Sequence, residues 1–177
     1  MREAFLFNPS REQARDFLFE AWRKYSKTEP LTGMESIAVE VIALHPEYHA
    51  MLEDRDRYLE NYRDRDYPPE FGETNPFLHL GMHIAIREQV SIDQPAGVRA
   101  SHSLLSEKWG SVLDAEHEMM DCLAEMIWQA QRNRTEPDAT IYLNCLHRKQ
   151  AACCRKSLSS SNEKARISGL FHWRRID

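Results

Sequence analysis

Apolar residues recur along most of this chain at spacings of three and four, the period of an amphipathic α-helix. Four helix-start motifs accompany these stripes: Ser10-x-x-Gln13, Thr32-x-x-Glu35, Asn75-Pro76 and Ser111-x-x-Asp114. No alternating strand pattern of useful length competes with them. The pattern therefore predicts an all-α fold, a single-domain bundle of six to seven helices.

The expected helix boundaries follow from the caps, the prolines and the glycines. The predicted helices cover roughly residues 10–27, 33–44, 46–52, 76–92, 98–107, 112–132 and 137–148. The break between the second and third comes at His45-Pro46, because proline lacks a backbone donor and disfavours helical geometry in the residue before it. Residues 53–74 are rich in charge and contain the loop signal Tyr67-Pro68-Pro69. We expect the helices at about 76–92 and 112–132 to be central.

The helical period lapses near residue 149, which predicts a helical domain over residues 1–148 and a flexible, basic tail over 149–177. The first 148 residues carry 16 basic and 26 acidic side chains, a net charge of −10, whereas seven of the 23 Lys and Arg residues lie in the tail. The acidic main part argues against binding to nucleic acid. Two interpretations of the tail stay open: a segment that binds an acidic partner, and an appendage with no defined role.

Composition places the chain among ordinary globular proteins, with 42% apolar and 29% charged residues. No apolar run is long enough to span a membrane, and the N-terminus does not have the pattern of a secretory signal. The four cysteines lack a CxxC spacing, so they are interpreted as reduced thiols. The expected location is cytoplasmic. A protein partner or self-association stays open.

Two histidines one turn apart are the first candidate for chemistry. His79 and His83 lie in the apolar segment NPFLHLGMHIAIREQ, and at about 100° per residue they fall only about 40° apart on a helix. Two imidazoles at this spacing can bind one metal ion from the same helix face.

A carboxylate on another predicted helix is the natural counterpart. Glu116 lies in the middle of the apolar face of the helix at 112–132, where an unpaired charge would be costly. It must therefore be protonated, paired with a cation or bound to a metal. His117 follows it at the flank of that face.

The sharper hypothesis is a metal site that contains His79, His83 and Glu116, completed by His117, His45 or His49. Iron, manganese and zinc all accept such ligands. HExxH is absent and the paired Glu-x-x-His motif of ferritin-like di-iron proteins is not present, so neither class is favoured.

The alternative interpretation needs no metal. Glu116 would form a buried ion pair with His79, His83 or Arg87, and the cluster would be a satisfied hydrogen-bond network in a structural or protein-interaction module. Acid–base catalysis without a metal is a third class, but no nucleophile or other catalytic residue can be named, and no organic cofactor site is recognised. Whether the protein is an enzyme is left open.

Four segments together resemble a proteobacterial family of small helical proteins that is catalogued as a domain of unknown function. They are IALHPEYHAML, GETNPFLHLGMHIAIREQ, DQPAGV and AEHEMMDCLAEMIWQAQR. The resemblance covers roughly residues 8–148 and implies a compact, cytoplasmic α-helical protein with no established activity. The segment 149–177 departs from the family, which suggests a lineage-specific or a read-through extension.

Overall fold

The computed structural model describes residues 11–57 and 75–151, and within these residues all regular secondary structure is helical. The α-helices are α1 (Arg11–Ser26), α2 (Gly33–Ala43), α3 (His49–Glu53), α4 (Pro76–Ile92), α5 (Val98–Trp109), α6 (Val112–Asn133) and α7 (Ala139–Ala151). A 3-10 helix at Pro46–Tyr48 precedes α3. The all-α prediction is confirmed. None of these helices is long and apolar enough to cross a membrane.

The helix boundaries follow from local chemistry that the sequence already displays. The Thr32 hydroxyl accepts from the backbone of Glu35 and the Glu35 carboxylate accepts from the backbone of Thr32, so the predicted capping box is present. Ser111 caps α6 by accepting from Asp114. Before it, Gly110 ends α5 with a φ of +70°, a conformation that glycine adopts without strain. The predicted cap at Ser10 lies outside the described residues.

The chain divides into two compact units, with the boundary after Ile84, inside α4. The described part of the first unit contains α1, α2, the 3-10 helix, α3 and the start of α4. Its core is formed by apolar residues from all four α-helices: Leu18, Phe19, Ala21, Trp22, Ala38, Val39, Val41, Ile42, Met51, Leu52, Phe77, Leu80 and Ile84. The apolar residues of α4 in this unit are therefore buried as expected. Leu78 is an exception, because its side chain is exposed to solvent.

The second unit contains the end of α4 together with α5, α6 and α7, and the last three helices pack against one another in pairs. A disulfide between Cys122 of α6 and Cys145 of α7 lies in this core. The interpretation of all cysteines as reduced thiols is therefore wrong for this pair. Because disulfides are rare in cytosolic proteins, the cytoplasmic location stays a prediction.

The last helix extends slightly past the point where the sequence pattern lapses. It ends at Ala151, and the Lys149 ammonium donates to the carboxylates of Glu118 and Asp121 on α6. Lys108 donates to the backbone carbonyl oxygens of Lys149 and Gln150. The first residues of the predicted tail are thus bound to the second unit, and residues 152–177 lie outside the described part of the chain.

A pH-dependent contribution to stability is expected at the start of α2. The Glu35 carboxylate accepts from the Lys24 ammonium at 2.6 Å and from the Thr32 backbone at 2.7 Å, and these bonds lower the pKa of Glu35 below its ordinary value of 4.5. A lowered folded-state pKa gives stability that is fully present above the unfolded value and is lost as the pH falls through the folded value. At neutral pH, the free energy of unfolding of Glu35→Gln should therefore be about 1–2 kcal/mol lower than that of the wild type.

Urea denaturation near pH 7 and near pH 3 checks this expectation, because the gap between Glu35→Gln and the wild type should shrink at the lower pH. A gap of equal size at both pH values would show that the carboxylate's charge is not the cause.

Candidate metal centre

Three histidines of the first unit form a buried cluster, which we call the histidine cluster: His45, His79 and His83. Each offers one ring nitrogen, and these nitrogens lie within 4.8 Å of one another. The exposed fractions of the three residues are 3%, 8% and 0%. The i,i+4 pair on α4 therefore lies on one side of that helix, and its ring nitrogens lie close to that of His45.

Helix α4 supplies two members of the cluster because its backbone holds them one turn apart. Asn75 caps this helix, since its side-chain oxygen accepts from the backbone N–H groups of Phe77 and Leu78. The ring centroids of His79 and His83 are 4.9 Å apart and their planes are nearly perpendicular, at 81°. Edge-to-face packing at this distance is favourable for two rings, and it leaves one nitrogen of each within 4.8 Å of the other.

His45 comes from the break between α2 and the 3-10 helix. Its Nδ1 lies 2.8 Å from the carbonyl oxygen of Val41, and a ring nitrogen in this position must donate. In the neutral imidazole the proton is then on Nδ1, and Nε2 carries the lone pair. A backbone carbonyl that fixes the tautomer in this way is typical of histidines that bind metals through Nε2.

The nitrogens of His45 and His79 already have the separation of two metal ligands. Their Nε2 atoms are 3.2 Å apart. Two nitrogens bound at 2.0–2.1 Å to one tetrahedral zinc ion would be about 3.3–3.4 Å apart. Without a metal, the same distance fits a hydrogen bond in which His79 donates to the lone pair of His45. The two nitrogens could therefore exchange their hydrogen bond for a shared metal ion with little change in the distance between them.

His49, the other candidate near the break, makes a different set of contacts within the first unit. Its Nε2 donates to the carbonyl oxygen of Ile42 at 2.9 Å, and its ring packs on Trp22 with centroids 4.5 Å apart. Among the described residues of this unit, the histidine cluster does not include His49. The bond to Ile42 fixes the loop between α2 and α3, which carries His45.

Glu116 has a cationic partner in the second unit. Its burial was predicted and is confirmed, with 1% of the residue exposed. Arg87 of α4 donates from Nε to its carboxylate at 2.8 Å, and His102 Nε2 of α5 lies 3.8 Å from the same oxygen. This is the pairing with Arg87 that the alternative interpretation proposed. A role of Glu116 as a metal ligand stays a prediction.

His117 also belongs to the second unit, on α6, and it is partly buried. Its predicted role as a ligand likewise stays a prediction. The sequence ranks His45 only as a residue that completes the site, because the helix breaks at His45-Pro46 and the geometry on either side of Pro46 is not fixed by helical spacing. The signal that could have raised it is its place directly after α2, where the carbonyl of Val41 is within reach of its ring.

Comparison with protein-family models gives one match, which covers the described residues up to 148. The model described as Domain of unknown function (DUF1841) matches residues 10–148. The chain belongs to this family. Neither the curated proteins nor the solved structures gave a match.

The matched residues contain all three members of the histidine cluster and also Arg87 and Glu116. The segment after residue 148, which the sequence set apart as a tail, is outside the match. Because the family description names no activity, function has to be argued from the chemistry of the cluster itself.

Proposed function

We propose that the protein binds a divalent transition-metal ion, zinc foremost, through the imidazoles of His45, His79 and His83. The observation that carries the proposal is the convergence of three buried ring nitrogens within 4.8 Å, two of them at the separation of zinc ligands. The hydrogen bond between His45 and His79 accounts for two of these nitrogens without a metal, whereas a metal ion would account for all three.

The ligand chemistry supports zinc above the other candidates from the sequence. All three donors are imidazole nitrogens, which suit zinc, copper, nickel and iron, whereas manganese prefers oxygen ligands. Zinc binds such nitrogens in tetrahedral geometry and needs no redox partner. Of the metals that the sequence suggested, iron is thus the second choice and manganese the third.

The remaining candidate ligands are assigned by their chemistry. We assign Glu116 to its ion pair with Arg87, because a carboxylate that already accepts from a guanidinium gains less from a metal. We keep His117 as the fourth ligand on the basis of the sequence prediction. Zinc sites that are closed by four protein ligands are usually structural, and those with three protein ligands bind water as well.

Metal analysis of the protein purified without chelator tests the proposal. We expect about one zinc ion per chain, and a zinc concentration 100 times the dissociation constant should stabilise the fold by about 2.7 kcal/mol. Replacing His79 or His83 with alanine should weaken zinc binding by at least about 100-fold, because even the supporting residues of metal sites contribute 10–100-fold. Isothermal titration calorimetry measures this loss.

Matched variants separate the ligands from other histidines and from the ion pair. His147→Ala, at an exposed position of α7, should bind zinc like the wild type. Glu116→Gln should keep its metal, whereas His117→Ala should lose affinity. The metal-free network of the alternative interpretation is favoured by the hydrogen-bond distance between His45 and His79. It is the correct one if the wild type contains no metal and if neither added zinc nor a chelator changes its melting temperature.

A further inference from the structure

We infer that Tyr48 is a positioning residue of the proposed metal site, an inference that rests on the proposed function. Tyr48 lies at the end of the 3-10 helix, three residues after His45, and it is only partly exposed. No feature of the sequence marks this tyrosine as part of a site. The structure brings its ring against two members of the histidine cluster.

The three rings have a consistent geometry. The planes of His45 and His79 are nearly perpendicular, at 78°. The ring of Tyr48 is parallel to that of His45, with an angle of 9° and centroids 5.9 Å apart. It is edge-on to His79, with an angle of 70° and centroids 6.0 Å apart. Tyr48 therefore packs into the corner that the two imidazoles form, and both contacts are within the range of favourable aromatic pairs.

In this position Tyr48 restricts the rotation of the His45 and His79 rings. An imidazole held by one hydrogen bond can still rotate about its side-chain bonds, and such rotation moves the lone pair away from the metal position. The bond from His45 to Val41 fixes one direction of that ring, and the parallel face of Tyr48 limits rotation out of its plane. Tyr48 also borders the ring of His79, with centroids 6.0 Å apart, and it limits the movement of that ring on the side it occupies. One aromatic ring thus preorganises two ligands.

The ring of Tyr48 also adds an apolar group beside the two members of the cluster that retain some contact with solvent. His45 and His79 retain small exposed fractions, whereas His83 has none. An apolar shell of this kind lowers the local dielectric constant and limits the access of water to a metal. Loss of the ring should therefore accelerate release of the metal as well as weaken its binding.

Zinc binding by Tyr48→Ala tests the inference. We expect an affinity roughly 10-fold or more below that of the wild type, the range found for residues that support metal ligands, and faster zinc release to a chelator. Tyr48→Phe keeps the ring and should bind like the wild type. Tyr25→Ala is the matched control, because Tyr25 is an aromatic residue of the same unit that stacks on Trp22 and is half exposed, at 51%.

The cobalt-substituted protein gives a readout that a purely structural role would not change. The visible absorption bands of bound cobalt report ligand geometry, and we expect them to shift in Tyr48→Ala but not in Tyr25→Ala. If Tyr48→Ala fails to fold, Tyr48→Leu keeps most of the apolar volume without the flat ring and should show the same loss.

The outcomes separate this inference from the proposed function. A wild-type protein that binds no zinc and no cobalt removes both. A wild-type protein that binds zinc, together with a Tyr48→Ala or Tyr48→Leu affinity within about threefold of it, well short of the 10–100-fold range of supporting residues, overturns the role of Tyr48 alone.

Discussion

Replacing Arg87 with methionine should lower the free energy of unfolding by about 3–5 kcal/mol, the cost of removing one partner of a buried ion pair. The Glu116 carboxylate is 1% exposed and accepts from Arg87 at 2.8 Å. Without the guanidinium, this carboxylate stays in the apolar interior of the second unit and loses its charged donor at 2.8 Å. Urea denaturation of the variant and the wild type at neutral pH measures the difference.

A double variant shows whether the cost comes from the buried charge of Glu116 after Arg87 is removed. Arg87→Met combined with Glu116→Leu removes both charges and fills the volume with apolar groups, a change that is often neutral or stabilising for buried pairs. We expect it to recover most of the stability that Arg87→Met loses. If the double variant is as unstable as the single one, the loss reflects packing. If Arg87→Met lowers the free energy of unfolding by less than about 1 kcal/mol, Arg87 is not the main stabilising partner of Glu116.

Sequence reasoning located the helices because their signals are local. Caps such as Thr32 with Glu35, and breaks such as His45-Pro46, act within one helical turn. The boundaries of α4 agree with the prediction, and those of α6 differ by one residue. The burial of Glu116 followed from the same periodicity.

The partners of the site residues could be predicted only in part, because tertiary packing decides them. Arg87 was named as one of three candidates for Glu116, but helical periodicity alone could not choose among them. The place of His45 depends on how the chain turns at Pro46, and that of Tyr48 depends on a 3-10 helix that carries no strong sequence signal. The pairing of Lys149 with Glu118 and Asp121 was missed, since those residues are far apart in sequence.

The error about the cysteines has the same origin. Cys122 and Cys145 are separated by 23 residues and lie on two helices whose packing brings their Cα atoms to 5.5 Å. No short sequence motif predicts a disulfide between two such cysteines. Spacing rules recognise metal sites and redox motifs formed within one loop, and they carry no information about two cysteines on separate helices.

Reduction of the disulfide should be the second large effect on stability. A cross-link that closes a loop of this length restricts the unfolded chain and contributes about 3 kcal/mol. For a protein of this size the melting temperature should fall by roughly 6–12 °C on reduction. The experiment uses a chain with Cys153→Ser and Cys154→Ser, so that the pair between α6 and α7 is the one that responds, and calorimetry compares the oxidised and reduced forms.

The reduced unit should still fold, because other contacts hold α7 to α6. Tyr142 and Leu146 are buried in the core of the second unit, and Lys149 keeps its two carboxylate partners. We therefore expect unchanged helical circular dichroism at room temperature and a lower melting temperature. Adding Cys122→Ala and Cys145→Ala to the same chain should abolish the response to reductant. A melting temperature that is equal with and without reductant, with both thiols free in the purified protein by mass spectrometry, would show that the second unit is stable without the cross-link and that packing alone keeps α7 in place.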